Sequence, residues 1–332
     1  MSFLRTKSKT ILHARAAMPL LFIAAVVMTH AGTLEAQTVN WVPSGPPSAR
    51  AVGGMAYDPA TKSIVLFGGA NNGKQYLADT WVWQAGWFPK APATSPSARV
   101  GLGMAFDGTN IVLFGGNNDS GTSLGDTWTW DGTNWSQQFP STSPSARDAL
   151  MTYDAATGNA LLFGGANSTG ALGDTWSWDG ATQTWTQQNP STSPSPRSAP
   201  MAYDAATGSV VLFGGNNGST QYTDTWLWNG TNWTQVFPAV SPTTRQSANM
   251  AYDPSIGAVV LFGGFNGVWE DSLNDTWVWN GTTWKQIQPA TVPPNRYGFG
   301  IGYDAAAKIL VMFGGYSSGP ARGDTWLLAL EP

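Results

Sequence analysis

An all-β fold built from six copies of one four-stranded unit is what this sequence predicts, and three observations predict it. The tripeptide Phe-Gly-Gly begins at Phe67, Phe114, Phe163, Phe213, Phe262 and Phe313, with spacings of 47, 49, 50, 49 and 51 residues. Asp-Thr-Trp recurs six times in the same phase, beginning at Asp79, Asp126, Asp174, Asp224, Asp275 and Asp324. The 332 residues include 39 Gly and 18 Trp but only 11% charged residues, a mixture that favours strands and tight turns. Units of this length, each packing only on its neighbours, describe a six-bladed β-propeller that closes as one domain.

Within a unit the residues resolve into four antiparallel strands. An arginine comes first, at Arg50, Arg99, Arg147, Arg197, Arg245 and Arg296. The strand after it is rich in Gly and Ala, as suits an innermost position with little space, and ends at an aromatic-Asp pair such as Tyr57-Asp58 or Phe106-Asp107. A turn such as Asp154-Ala-Ala-Thr-Gly158 reverses the chain into a continuously apolar second strand, for example Ile64-Val-Leu-Phe67. That pattern fits a strand covered on both faces. The third strand alternates around tryptophan, as in Asp126-Thr-Trp-Thr-Trp130, and a tight Asp131-Gly132 or Asn229-Gly230 hairpin turn follows. The fourth opens on a tryptophan such as Trp135 and ends near a proline.

Tryptophan positions test this parsing. Seventeen of the 18 fall on repeat positions, and only Trp269 is left over. Trp41 is the informative one. The last unit ends at Asp324-Thr-Trp-Leu-Leu-Ala-Leu330 without a fourth strand, and Val39-Asn-Trp41 matches Thr133-Asn-Trp135. The N-terminal end of the domain is therefore expected to supply the outer strand of the last blade, pairing an edge that would otherwise be open.

Ahead of the repeats, Arg5, Lys7, Lys9 and Arg15 precede an apolar stretch from Met18 to Met28, with small residues offering cleavage after Ala31 or Ala36. This reads as an export signal, too short to span a bilayer. The domain plan is a signal over 1–36 and one propeller over 37–332. Its blades fall at about 50–89, 99–138, 147–188, 197–236, 245–288 and 296–330 plus 38–42. The expected location is outside the cell, or in the periplasm or cell envelope, with no membrane insertion after cleavage.

Removing residues 1–36 takes away both histidines, four basic residues and Glu35. The remaining 12 basic and 19 acidic residues give a net charge of −7. An acidic surface repels phosphate backbones, so nucleic acid is not an expected partner. Without His or Cys there is no triad of the common kind and no imidazole or thiolate ligand. No catalytic residue, metal or cofactor is expected.

The phase of Phe-Gly-Gly and Asp-Thr-Trp, with tryptophan opening the fourth strand, resembles the kelch repeat over about residues 38–330. WD-type propellers have shorter units and a Gly-His signature absent here. Resemblance to kelch propellers implies several possible roles, among them protein-interaction modules, the central domain of galactose oxidase, a sialic acid mutarotase and plant specifier proteins. Copper chemistry like that of galactose oxidase needs histidines and a cysteine-tyrosine crosslink, and specifier-type iron needs a histidine. Neither fits residues 37–332. Kelch interaction modules resemble this chain in placing arginines near the loop face, where they bind acidic peptides.

Candidate contacts follow from the repeat and from its departures. The six arginines should gather around one mouth of the central channel. There they either hold neighbouring loops through carbonyls or an aspartate, or present an electropositive face to carboxylates. Trp81, Trp128, Trp176, Trp226, Trp277, Trp326 and Trp41 occupy positions all blades share and are expected to be structural. The longest connection from Phe-Gly-Gly to Asp-Thr-Trp, ten residues in the fifth blade, carries Trp269, Glu270 and Asp271 as possible ligand contacts. Units three and four are one residue shorter between arginine and tyrosine, with Asp148 and Pro200 in that stretch. The residues favour an exported, monomeric, non-enzymatic module recognising a protein or glycan on the loop face. The alternatives are a carbohydrate-active enzyme, such as a sugar mutarotase or lyase, and a structural or adhesive envelope protein.

Overall fold

In the computed structural model, residues 40–44, 47–72, 74–267 and 272–329 are described, and all four-stranded sheets are antiparallel. The export segment expected over 1–36 lies outside them. In the first blade the inner strand Gly54–Asp58 pairs with Ser63–Phe67, which pairs with Thr80–Trp83, which pairs with the outer strand Trp87–Lys90. The same order repeats in the blades whose inner strands are Gly103–Phe106, Met151–Asp154, Met201–Asp204 and Asn249–Asp253. The sixth blade runs Gly300–Asp304, Ile309–Phe313, Thr325–Ala329 and then Asn40–Ser44. Its outer strand comes from the front of the domain, with Trp41 opposite Leu328. The expected closure is present. Gly54–Asp58 touches both Gly103–Phe106 and Gly300–Asp304, so the ring has no seam.

Each repeated residue has a partner that explains it. The second strands are buried along their length, as in Ser63–Phe67. At the outer end, the fourth-strand tryptophan donates its indole N–H to the Asp-Thr-Trp threonine of the preceding blade. Trp87 meets Thr325 at 2.8 Å, Trp135 meets Thr80 at 2.9 Å and Trp185 meets Thr127 at 2.9 Å. The same indoles stand edge-on to the Phe of the preceding Phe-Gly-Gly, as in Phe67–Trp135 at 5.3 Å. Eight of the largest fully buried side chains are tryptophans. Each buries on the order of 200 Å², about 5 kcal/mol gross as an upper bound. Blade-to-blade packing is thus the main apolar contribution to the fold.

Phe-Gly-Gly makes a second latch nearer the axis. The second glycine donates its N–H to the carbonyl of the next blade's arginine in all six steps, from Gly69 to Arg99 at 3.0 Å round to Gly315 to Arg50 at 2.9 Å. Both glycines have positive φ, 68° and 95° at Gly68 and Gly69, and a Cβ on Gly69 would sit 2.8 Å from the Ala51 carbonyl oxygen. Only glycine fits.

Inner strands carry more than small residues. A methionine from the neighbouring blade lies against their glycines, so that a Cβ on Gly54 would meet Met104 and one on Gly103 would meet Met151. Glycine on one blade makes room for an unbranched, adaptable side chain on the next. Register places the inner-strand starts, the Phe-Gly-Gly turns and the long connections between second and third strands on one face, termed here the wide-loop face. The aromatic-Asp pairs and the third-to-fourth hairpins lie on the opposite, turn face.

Candidate functional site

The six repeat arginines lie in the walls beneath the wide-loop face, each no more than 1% exposed. A guanidinium has five N–H donors, and Arg50 uses all of them inside the protein. Its Nε donates to the Ser48 carbonyl, Nη1 to the Gly68 carbonyl and Asp79 Oδ1 at 2.6 Å, and Nη2 to Ser48 Oγ and Asp79 Oδ2 at 2.8 Å. Arg99, Arg147, Arg245 and Arg296 likewise grip Asp126, Asp174, Asp275 and Asp324 through both Nη atoms, while Arg197 meets Asp224 through Nη1 and gives Nη2 to Ser195 Oγ. Of the two roles open to these arginines, the geometry supports the structural one. An electropositive mouth built from them would need guanidinium groups that are already committed to carboxylates and carbonyls.

The same aspartates explain the third motif residue. Trp81, Trp128, Trp176, Trp226, Trp277 and Trp326 each donate an indole N–H to the aspartate two residues earlier, at 2.5–2.8 Å. Burial alone would raise the Asp126 carboxyl. The two-point grip of Arg99, its charge and the Trp128 indole outweigh burial and hold it below the ordinary value. Asp79, Asp174, Asp275 and Asp324 are lowered by the same balance. Trp269, Glu270, Asp271 and the side chain of Trp41 lie outside the described residues.

A seventh arginine stands apart. At the end of each long connection, one backbone N–H returns to the second glycine of Phe-Gly-Gly. The residues in that position are Leu77, Leu124, Leu172, Tyr222, Leu273 and Arg322. The Arg322 guanidinium donates to Ser317 Oγ at 3.1 Å, forms no ion pair among the described residues, and has a buried Nε without an acceptor. It borders an open cavity of about 530 Å³ with Ser317, Ser318 and Asp324. Burial, followed by the charge of Arg322, lowers the pKa of Arg296 against the pull of Asp324. Asp324 is already held by Arg296 at 2.7 Å and by the Trp326 indole, and Arg322 adds a second positive charge beside that pair. Sequence reading missed this position because it becomes visible only when the connections are aligned through their hydrogen bonds.

The central channel holds two cavities. Towards the turn face, about 360 Å³ is lined by inner-strand apolar side chains, including Met55, Met104, Met201 and Met250, and ringed by Tyr57, Phe106, Tyr153, Tyr203, Tyr252 and Tyr303. Burial, and then the carboxylates of the preceding and own blade, raise the phenol pKa of Tyr57. Burial and the same kind of carboxylate neighbours raise Tyr203, Tyr252 and Tyr303. Towards the wide-loop face, about 130 Å³ is bordered by Asp148, Ser198, Pro200 and Asn249. Asp148 is the one carboxylate among the residues lining the two channel cavities.

A family model described as the KLHDC2/KLHL20/DRC7 Kelch-repeats domain matches residues 83–236, from the third strand of the first blade to the outer strand of the fourth. No curated protein matches the chain. The match covers 154 of the 332 residues, and with the six-bladed ring it supports a kelch-repeat β-propeller. Propellers of this class are commonly protein-interaction modules.

Proposed function

We propose that the protein is an exported, non-enzymatic binding module that recognises a protein or glycan on its wide-loop face. The observation that carries this reading is Arg322, a guanidinium without an ion pair among the described residues that borders an open cavity at the foot of one of the six long connections. A ligand carboxylate in that cavity would supply charge-assisted acceptors for its outward N–H groups. An acidic peptide and an acidic sugar both offer that group. The rigid ring beneath holds the connections in place, as binding loops require. The basic and apolar N-terminal segment supports export.

The test is a glycan-array and pull-down screen of the purified protein, repeated with Arg322→Leu and with Lys62→Ala on the turn face. Leucine is the residue four other blades place at this position, so the variant keeps the loop. Arg322→Leu should weaken the retained ligand by about tenfold or more, the worth of a charge-assisted hydrogen bond. A ligand lost in Lys62→Ala but kept in Arg322→Leu would move the binding face to the other side of the ring.

A further inference from the structure

The wide-face mouth of the channel departs from sixfold symmetry, and its departure is chemical. In four blades the residue two after the arginine has a left-handed backbone: Val52 (φ 54°), Gly101 (φ 64°), Ser247 (φ 53°) and Gly298 (φ 63°). These four join neighbouring blades in a belt of backbone hydrogen bonds. Gly298 N–H donates to the Ser247 carbonyl at 2.8 Å, Val52 N–H to Gly298 at 2.6 Å, Gly101 N–H to Val52 at 2.9 Å and Ala149 N–H to Gly101 at 2.9 Å. Blades three and four are the two that are one residue shorter, and the missing residue is this one. The belt stops between Ala149 and Ser247.

The two halves of the mouth therefore differ. Where the belt runs, backbone polar groups are spent on one another, and Val52, Leu102 and Phe299 give an apolar wall beside Ser247 and Asn249 of the fifth blade. Where it stops, Asp148, Ser198 and Asn216 stand among Ala149, Leu150, Ala199 and Pro200. The residue directly after the arginine is Ala51, Val100, Asp148, Ser198, Gln246 or Tyr297, so the charge occurs in one blade alone. Asp148 Oδ1 accepts the Ala166 N–H, and Oδ2 has no partner among the described residues. Burial raises the Asp148 carboxyl against the pull of the Ala166 N–H and Arg147, which a cation at the mouth would reverse.

We propose that this mouth is a binding site for a primary ammonium carried on a short apolar group, with Asp148 Oδ2 as the counter-ion and the belt side as the apolar wall. Peptide N-termini with an apolar first residue and free aliphatic amines share this chemistry. The inference rests on the wide-loop face being the ligand face, yet it involves none of the residues around Arg322.

Isopentylamine and Leu-Gly-Gly are the probes, with isopentanol and N-acetyl-Leu-Gly-Gly as uncharged controls, measured by saturation-transfer NMR and calorimetry on the protein. The charged probes should bind about tenfold or more tightly than their controls. Binding of isopentylamine alone would identify a free amine, and binding of Leu-Gly-Gly alone a peptide N-terminus. Asp148→Asn, which keeps an oxygen for Ala166, should lose the preference. Asp148→Ser, which copies Ser198 of the next blade, should do the same if the asparagine variant folds poorly. Equal binding of charged and uncharged probes, an undiminished preference in both variants, or no binding of either charged probe overturns the site. Lys62→Ala, on the turn face, should leave this binding unchanged, and a screened ligand that still depends on Arg322 while neither amine binds would sink this site and leave the wide-face reading standing.

Discussion

At the residue scale, the repeat arginine and the Asp-Thr-Trp aspartate form one unit whose value lies in having every donor met. Arg99 is fully buried while the Asp126 side chain is 24% exposed. Removing the cation leaves a partly solvated carboxylate, and also strands the Gly115 and Ser97 carbonyls. Arg99→Met should therefore cost about 2–3 kcal/mol in urea unfolding, somewhat below the cost of breaking a fully buried pair. The acid limb carries a second signature. Asp126 has a folded pKa below its ordinary 3.8, so its contribution is present above pH 3.8 and is lost as pH falls through the folded value. Stability of the wild type should drop in that range, and Arg99→Met should flatten the drop. A variant with an unchanged acid limb would mean the pair does not govern it.

At the scale of the blade, the turn-face aspartates show what happens when one partner in a repeat is absent. Asp304 Oδ2 accepts the Trp83 indole at 3.2 Å, and Asp107 Oδ2 accepts Trp178 at 3.0 Å. The aspartate of the fifth blade, Asp253, faces a sixth blade in which that tryptophan position is Leu328. Its Oδ2 is buried without a hydrogen bond, and burial raises its pKa despite two bonds from Ser255; Asp154 Oδ2 is likewise buried and unbonded, but there Trp228 stands in the facing blade. With the folded pKa above the ordinary 3.8, charging Asp253 costs stability as pH rises through and beyond that value. Asp253→Asn should thus be neutral or stabilising at pH 7, within about 0.5 kcal/mol of wild type or above it. Asp304→Asn should lose about 1–2 kcal/mol, because its amide N–H would point at the Trp83 N–H. Thermal unfolding of the two variants side by side checks this, and equal losses would refute the partner argument.

For the whole molecule, closure decides cooperativity. Five register pairs join Asn40–Ser44 to Thr325–Ala329, and without them the sixth blade would present an unpaired edge. Deleting residues 37–44 should lower stability by about 3 kcal/mol or more, roughly 6–12 °C in Tm for a domain of this size. It should also promote association through the exposed edge. A Tm that barely moves would mean the ring holds through its inner latches alone. The same closure explains how a molecule of near-identical blades can still carry one-off features. The six glycine-to-arginine latches run the whole way round the ring, so a lost residue in two blades or a leucine replaced by Arg322 alters the surface without opening it.

By itself the sequence determined the number of blades, the four strands in each, the glycine-dependent turns and the N-terminal outer strand. These rest on local periodicity and on a motif repeated six times, and repetition makes each assignment check the others. Tertiary structure decided where the chemistry goes. Arg50 meets Asp79 across 29 residues, a contact that no periodicity announces, so carboxylate-seeking arginines and wall-building arginines look alike in one dimension. The one-residue deficit at Asp148 and Pro200 was legible as a count, but its meaning lies in the left-handed residue the other four blades use to bond their neighbours around the channel mouth. Arg322 was hidden for a similar reason. Its uniqueness is a property of position around a ring, and position is defined by hydrogen bonds between blades that only a folded chain possesses.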